Sequence, residues 1–157
     1  GLAFAEHDHS NCTGSLMARA EAVSAARGLR LTPVRRRTLE ILAEAHRALG
    51  AYEVLERLAA DGFARQPPVA YRALDFLVEQ GLAHRIQRLN AFTACMQPGE
   101  QHQPAFLICR GCEQVAEADA PELRAALDRL AGATGFHVER STVELLGLCA
   151  RCSEAGL

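Results

Sequence analysis

Two Cys-x-x-Cys pairs, Cys109-Arg110-Gly111-Cys112 and Cys149-Ala150-Arg151-Cys152, constrain this chain more than any other feature. Two intervening residues let both thiolates of such a knuckle face one ion at about 2.3 Å, and two knuckles complete a tetrahedron. Four sulfurs leave no open position, so the predicted centre is a structural zinc rather than a catalytic one. Residues 113–148 separate the knuckles, more than in a usual zinc ribbon, and must contain elements that return the chain. The alternatives are a pair of redox dithiols or four buried, unligated cysteines. Paired knuckles are far more specific than one, and they favour zinc.

Composition narrows what surrounds that centre. The 157 residues are 49% hydrophobic, enough for one sizeable core or two small ones. No apolar run approaches the roughly 18–20 residues of a bilayer-spanning helix, so no membrane partner is expected. The first residues lack the basic segment and apolar run of a secretory signal. The expected compartment is the cytoplasm, where thiols stay reduced and spaced cysteines hold metal. The formal net charge of -2 speaks against a nucleic-acid partner, but its distribution speaks for one. All 17 basic residues are arginine. Ser15 to Ala94 carries 12 arginines against 8 acids, a net of +4, and Cys95 to Leu157 carries 5 against 9, a net of -4. This asymmetry implies two modules with different partners.

Gly1 to Gly14 shows no helical or strand period and is expected to be a flexible tail; it holds His7, His9 and Cys12. Ser15 fits an N-cap for a helix from Leu16 to about Arg27, closed by Gly28. Thr32-Pro33 opens a second helix that runs toward His46. A third lies between Gly50 and Gly62, with Tyr52, Leu55, Leu58 and Ala59 as its apolar stripe. After Pro67-Pro68 a fourth spans Val69 to Gln80, with Ala70, Leu74, Leu77 and Val78 inward, and Gly81 stops it. Leu82 to Arg88 and Ala91 to Cys95 then read as a small hairpin. Helices followed by such a hairpin describe a winged helix-turn-helix whose fourth helix would enter the major groove.

Met96 to Pro104, with two prolines and a glycine among polar residues, reads as a linker. Beyond it, Ala105 to Ile108 and Val115 to Glu117 read as strands, Pro121 to about Thr134 as a helix, and Phe136 to Leu148 as a returning strand. The predicted fold class is α+β. A tail over 1–14 precedes a winged-helix DNA-binding domain over 15–95, a linker over 96–104 and a small α/β dimerisation and metal-binding domain over 105–157. So small a second domain needs support, which a zinc and a dimer partner would both supply.

Arg30-Leu31-Thr32-Pro33, Ala51-Tyr52, Pro68-Val69-Ala70-Tyr71-Arg72-Ala73-Leu74-Asp75-Phe76-Leu77 and Glu79-Gln80-Gly81-Leu82 form one run of motifs. Gln103-Pro104-Ala105-Phe106-Leu107-Ile108-Cys109 and Gly147-Leu148-Cys149-Ala150-Arg151-Cys152 continue it. On these motifs the chain resembles the ferric uptake regulator (Fur) family, and specifically its zinc uptake regulator (Zur) branch, from about Ala18 to Cys152. The resemblance implies a homodimeric repressor that binds AT-rich palindromes when metal-loaded. Two positions depart from the family pattern. Val69 stands where a threonine is usual, removing a hydroxyl that could cap the helix or touch phosphate. The histidine cluster common before the first knuckle of iron sensors is reduced to His102, which favours zinc.

His84, Cys95, His102 and Glu117 occupy the positions that, by the resemblance, carry a regulatory zinc, giving two zincs per chain with the structural one. Their chemistry agrees: one thiolate, two imidazoles and one carboxylate make a four-coordinate set softer than iron or manganese requires. Singly, each has a bland reading: a solvated wing histidine, a small core cysteine, a surface carboxylate. His84 and Cys95 fall in the first module and Glu117 in the second. A shared ion would therefore select one arrangement of the two modules from many. His7, His9 and Cys12 form a weaker candidate metal site, with a disordered tail as the alternative.

Tyr71 and Arg72 fall in the first turns of the fourth helix, where side chains reach base edges. Arginine suits bidentate contact with guanine, and tyrosine can bond phosphate or rest on a thymine methyl. The resemblance assigns Arg72 to base contact and adds Tyr52. Core packing is the alternative for Tyr71. Arg35, Arg36 and Arg37 form a basic run, of which at least one is expected to reach phosphate. The chain is thus expected to be a zinc-responsive repressor of zinc uptake genes, with no small-molecule substrate and no catalytic residues. A related sensor of another metal or of peroxide is the alternative. A zinc hydrolase using His84, His102 and Glu117 is disfavoured by Cys95 in the fourth position and by the lack of an H-E-x-x-H or nucleophile elbow. A dithiol redox protein would need freely cycling thiols, whereas thiolates closed around zinc resist alkylation until chelated.

Overall fold

The computed structural model describes residues 10–45, 47–63, 65–99, 104–139 and 141–157, with the side chains of 10–12 outside the description. The chain divides into two compact units with the boundary between residues 99 and 100.

The first unit runs α1 (Ser10–Ala26), α2 (Pro33–Glu44), α3 (Ala51–Ala60), α4 (Pro67–Glu79), β1 (Ala83–Ile86), a 3-10 turn (Gln87–Leu89) and β2 (Ala91–Ala94). Pro33 and Pro67 sit in the first turns of α2 and α4, where the missing N–H would have no helical partner anyway. The inward faces are Thr38, Leu39, Ile41 and Leu42 on α2, Ala51, Val54, Leu55 and Leu58 on α3, and Ala70, Ala73, Leu74 and Leu77 on α4. With Leu16, Met17 and Ala20 of α1 they make one core. Gly81, at φ +70, ends α4. Its N–H donates to Val78 and that of Leu82 to Leu77, at 3.1 and 2.8 Å, a Schellman closure that turns buried Leu82 straight into the wing.

Three expectations change here. The α1 helix starts at Ser10, not Leu16, so it runs through the Thr13-Gly14-Ser15 stretch that resembles a cap; propensity is a weak signal when the next turns pack on a core. The stripe of α3 is rotated by one residue: Ala51 and Val54 face inward and Tyr52 is 65% exposed. Residues 96–99 belong to the first unit rather than to a linker. Pro98 is buried, and Gly99, at φ +83, lies so near α1 that a Cβ would stand 2.6 Å from Val23 Cγ2. A rung between Leu49 and Phe92, with N–H···O distances of 2.9 and 2.8 Å, also ties the wing to the α2–α3 loop.

The second unit runs β3 (Pro104–Cys109), β4 (Val115–Asp119), α5 (Pro121–Ala133), β5 (Val143–Gly147) and α6 (Ala150–Glu154). The sheet order is β4-β3-β5, with β3 antiparallel to β4 and parallel to β5. The returning strand is shorter than expected, Val143–Gly147 rather than Phe136 to Leu148, and α6 was not expected at all. His137, read from the sequence as a strand residue, precedes that strand and is exposed. No residue of α5 is buried, and Leu130, Phe136, Leu145 and Leu146 are all exposed. Among the described residues no helix is long and apolar enough to cross a membrane.

Candidate metal centres and nucleic-acid interface

The first knuckle is the turn between β3 and β4. Cys109 ends β3, its N–H donates to the Gln114 carbonyl at 3.0 Å, and Glu113, at φ +62, donates back to the Cys109 carbonyl at 2.9 Å. The second knuckle follows β5, with Cys149 capping α6 and Cys152 inside it. Parallel pairing of β3 with β5 sets Cys109 opposite Gly147, and the Arg110 N–H donates to the Gly147 carbonyl at 2.9 Å. One strand register therefore brings both knuckles to the same end of the sheet.

One sulfur from each cysteine lies within 4.8 Å of every other. The Cys112 and Cys149 sulfurs are 3.9 Å apart. A tetrahedron with 2.3 Å zinc–sulfur bonds has edges of about 3.8 Å, so the cluster has the size that a closed zinc needs. Cys109, Cys149 and Cys152 are buried and Cys112 half-buried. The Cys149 N–H donates to the Cys109 sulfur at 3.3 Å. This bond, with those from the first knuckle's own backbone, pulls the Cys109 thiol down to about 6. Burial first, then the neighbouring sulfurs, push Cys152 up to about 12. Cys109 thus gives up its proton more readily than Cys152, and both must be deprotonated to bind metal.

Gly111 sits inside this cluster. A Cβ there would stand 3.0 Å from the Cys152 sulfur and 3.3 Å from Leu148 Cδ2. Gly111→Ala is expected to weaken zinc retention and destabilise the second unit by about 1–3 kcal/mol, the usual cost of overpacking. A chelator titration followed by far-UV circular dichroism measures it; an unchanged chelator midpoint would count against this fit.

The other candidate ligands stand on separate units. In the first, the β1–β2 register places His84 opposite Thr93, and the Cys95 N–H extends the ladder to the Leu82 carbonyl at 2.9 Å. Alternation along both strands therefore puts His84 and Cys95 on the same face of the wing. Cys95 is fully buried and His84 half-buried. In the second unit Glu117 is half-buried in the middle of β4, opposite Phe106. His102, His7, His9 and His46 lie outside the described residues, and Cys12 is on α1 with its side chain outside them.

The expected DNA-reading residues are all exposed on the first unit. Tyr71 is 44% exposed, which removes core packing as its role, and neighbouring Arg72 is exposed too. Tyr52 projects from the first turn of α3. Next to it Glu53 pairs with Arg47 and accepts the Gly50 N–H at 3.5 Å, so its carboxyl is held below the usual range, by Arg47 most of all. Val69 is the third residue of α4, after the cap at Gln66, so a hydroxyl there would not have been the cap. Arg35, Arg36 and Arg37 all have partners within the protein. Arg36 pairs with Glu21 and Glu40, and Arg37 with Asp61, Glu40 and Glu44, with Asp61 foremost in raising its pKa. Glu40 and Glu44 lie on the same helix, but sequence reasoning saw these arginines only as charge because Glu21 and Asp61 lie outside α2.

The ferric uptake regulator family model matches residues 26–146. The zinc uptake regulation protein of Escherichia coli strain K12 is 37% identical over 145 residues, covering 90% of this chain and 84% of that protein. A solved zinc uptake regulator complexed with zinc and DNA superposes with a TM-score of 0.85 at 36% identity, covering 92% of this chain and 97% of that one. The crystal structure of holo XcZur superposes at 0.81 with 39% identity, covering 89% and 98%. The chain belongs to the ferric uptake regulator family and, within it, sits with the zinc uptake regulators.

Proposed function

We propose that the chain is a zinc-responsive transcriptional repressor that binds AT-rich palindromic operators of zinc uptake genes as a zinc-loaded homodimer in the cytoplasm. The carrying observation is likeness over 92% of its length to a zinc uptake regulator solved with zinc and DNA. Membership of a family of regulators sets aside the hydrolase and dithiol readings.

Two zincs per chain serve this function. Cys109, Cys112, Cys149 and Cys152 would hold the structural one, and the fit of their sulfurs supports it. His84, Cys95, His102 and Glu117 are the proposed regulatory ligands, supported by their donor chemistry and by the shared wing face of His84 and Cys95. Zinc supplies charge and fixed bond angles there. Because the ligands come from both units, metal binding favours one arrangement able to read two half-sites, and DNA must tighten zinc by the same factor. The exposed Leu130, Phe136, Leu145 and Leu146 support a dimer, since a lone chain would leave them in water. His7, His9 and Cys12 remain a candidate weak third site.

Tyr52, Tyr71 and Arg72 are the proposed DNA contacts. Arg72→Ala is expected to cost about 1–3 kcal/mol of operator affinity and relax preference at one base pair. Fluorescence anisotropy with a labelled AT-rich palindromic duplex, run against free zinc, iron(II) and manganese(II), tests the whole reading. Zinc should promote binding at concentrations where the others do not. Binding that follows iron, manganese or peroxide instead would transfer the chain to the alternative sensor class.

A further inference from the structure

Consecutive residues on a helix point about 100° apart, so a run of three must face three directions. The arginines of α2 use this. Arg36 reaches Glu21 on α1, Arg37 reaches Asp61 just past α3 at 2.6 Å, and the Arg35 guanidinium lies 3.7 Å over the Phe76 ring on α4. Arg35 is also held from behind, donating to the Arg30 carbonyl at 3.1 Å. We propose that Arg35 is a positioning residue for DNA recognition: by stacking on Phe76 it sets the rotation of α4 that aims Arg72, and it does not itself neutralise phosphate. This rests on the DNA-binding reading above.

Three observations carry it. Phe76 is four residues beyond Arg72, so the two share one face of α4, a turn apart. The inward residues flanking Arg72 are Ala70 and Ala73, whose short side chains resist rotation little, although Leu74 and Leu77 fix the helix axis further along. A planar guanidinium on a ring restrains orientation in a way an ammonium does not. The Arg35–Phe76 stack is therefore a lateral stop on the face that carries the reader.

The test uses zinc-loaded full chain and two labelled duplexes: a palindrome selected from a random pool by the wild-type protein, and a scrambled duplex of equal composition. Arg35→Gln, Arg35→Lys and Phe76→Leu are each expected to lower the ratio of specific to scrambled affinity about 5- to 10-fold, the low end for losing one bidentate base contact. Affinity for the scrambled duplex and the slope of log affinity against log salt should stay at wild-type values. The Arg35→Gln/Phe76→Leu double variant should lose no more than either single one. Circular dichroism checks folding, and Arg35→Lys carries the test if Arg35→Gln does not fold. Equal weakening on both duplexes with a salt slope reduced by about 0.9 would make Arg35 a phosphate contact and overturn the proposal. An unchanged ratio would overturn it as well. If the wild-type chain discriminates no duplex at all, the DNA-binding reading fails and this inference with it.

Discussion

Cys152→Ser should strip the second unit of its tightly held zinc and leave that unit unfolded at temperatures where the wild-type chain is folded. Among the described residues of this unit the buried apolar ones are few and mostly small: Ala105, Phe106, Ile108 and Ala116, besides the cysteines themselves. Such a core cannot offset the conformational entropy of some fifty ordered residues. Structural zinc in small domains contributes on the order of 10–16 kcal/mol of apparent binding free energy, all of it coupled to folding. Cys152 is the most telling position because burial pushes its thiol up, so its deprotonation leans on the metal more than that of Cys109. Serine removes the soft ligand and leaves a buried hydroxyl among sulfurs. Metal content per chain after mild chelation, with thermal melting of the same sample, measures the effect. A variant that keeps a chelator-resistant zinc and the wild-type melting curve would refute the structural role.

Cys95→Ala separates sensing from stability. The loss of one buried sulfur should cost the first unit only about 1–2 kcal/mol, since its core is otherwise built from Leu39, Ile41, Val54, Leu58, Leu74 and Leu77. Operator affinity at saturating zinc, in contrast, should fall about 10- to 100-fold or more, because the regulatory set loses its only thiolate. Zinc content should drop from two per chain to one, the remaining ion resisting mild chelation. Two retained zincs with an undiminished zinc response would remove Cys95 from the site. The contrast with Cys152→Ser is the point of the pair: one variant should lose a folded unit, the other should lose only its answer to zinc.

Much of this was legible before any coordinates. The knuckle spacing announced a closed metal centre, because tetrahedral thiolate chemistry is local and two residues set the bite. Pro33, Pro67 and Gly81 marked helix ends for equally local reasons of backbone geometry. What escaped depends on partners distant in the chain. The phase of α3 is one example: Tyr52, Leu55, Leu58 and Ala59 make as good a stripe by period as Ala51, Val54, Leu55 and Leu58, and only packing against the other helices decides between them. The rung between Leu49 and Phe92 is another. That Arg35, Arg36 and Arg37 meet Phe76, Glu21 and Asp61 stayed hidden because charge is visible in a sequence and the residue that receives it is not.

The sequence by itself determined that two Cys-x-x-Cys pairs offer four sulfurs with a metal's bite, that helices precede a hairpin in the first unit, and that a basic part of the chain is followed by an acidic one. These follow from spacing, period and charge, which act over a few residues. Tertiary structure alone decided that the β3–β5 register delivers the second knuckle to the first, that Tyr52 and Tyr71 stay in solvent, and that each arginine of the α2 run meets a partner distant in the chain. Those outcomes turn on which faces meet across long stretches of chain, and burial free energy, not local preference, selects among them.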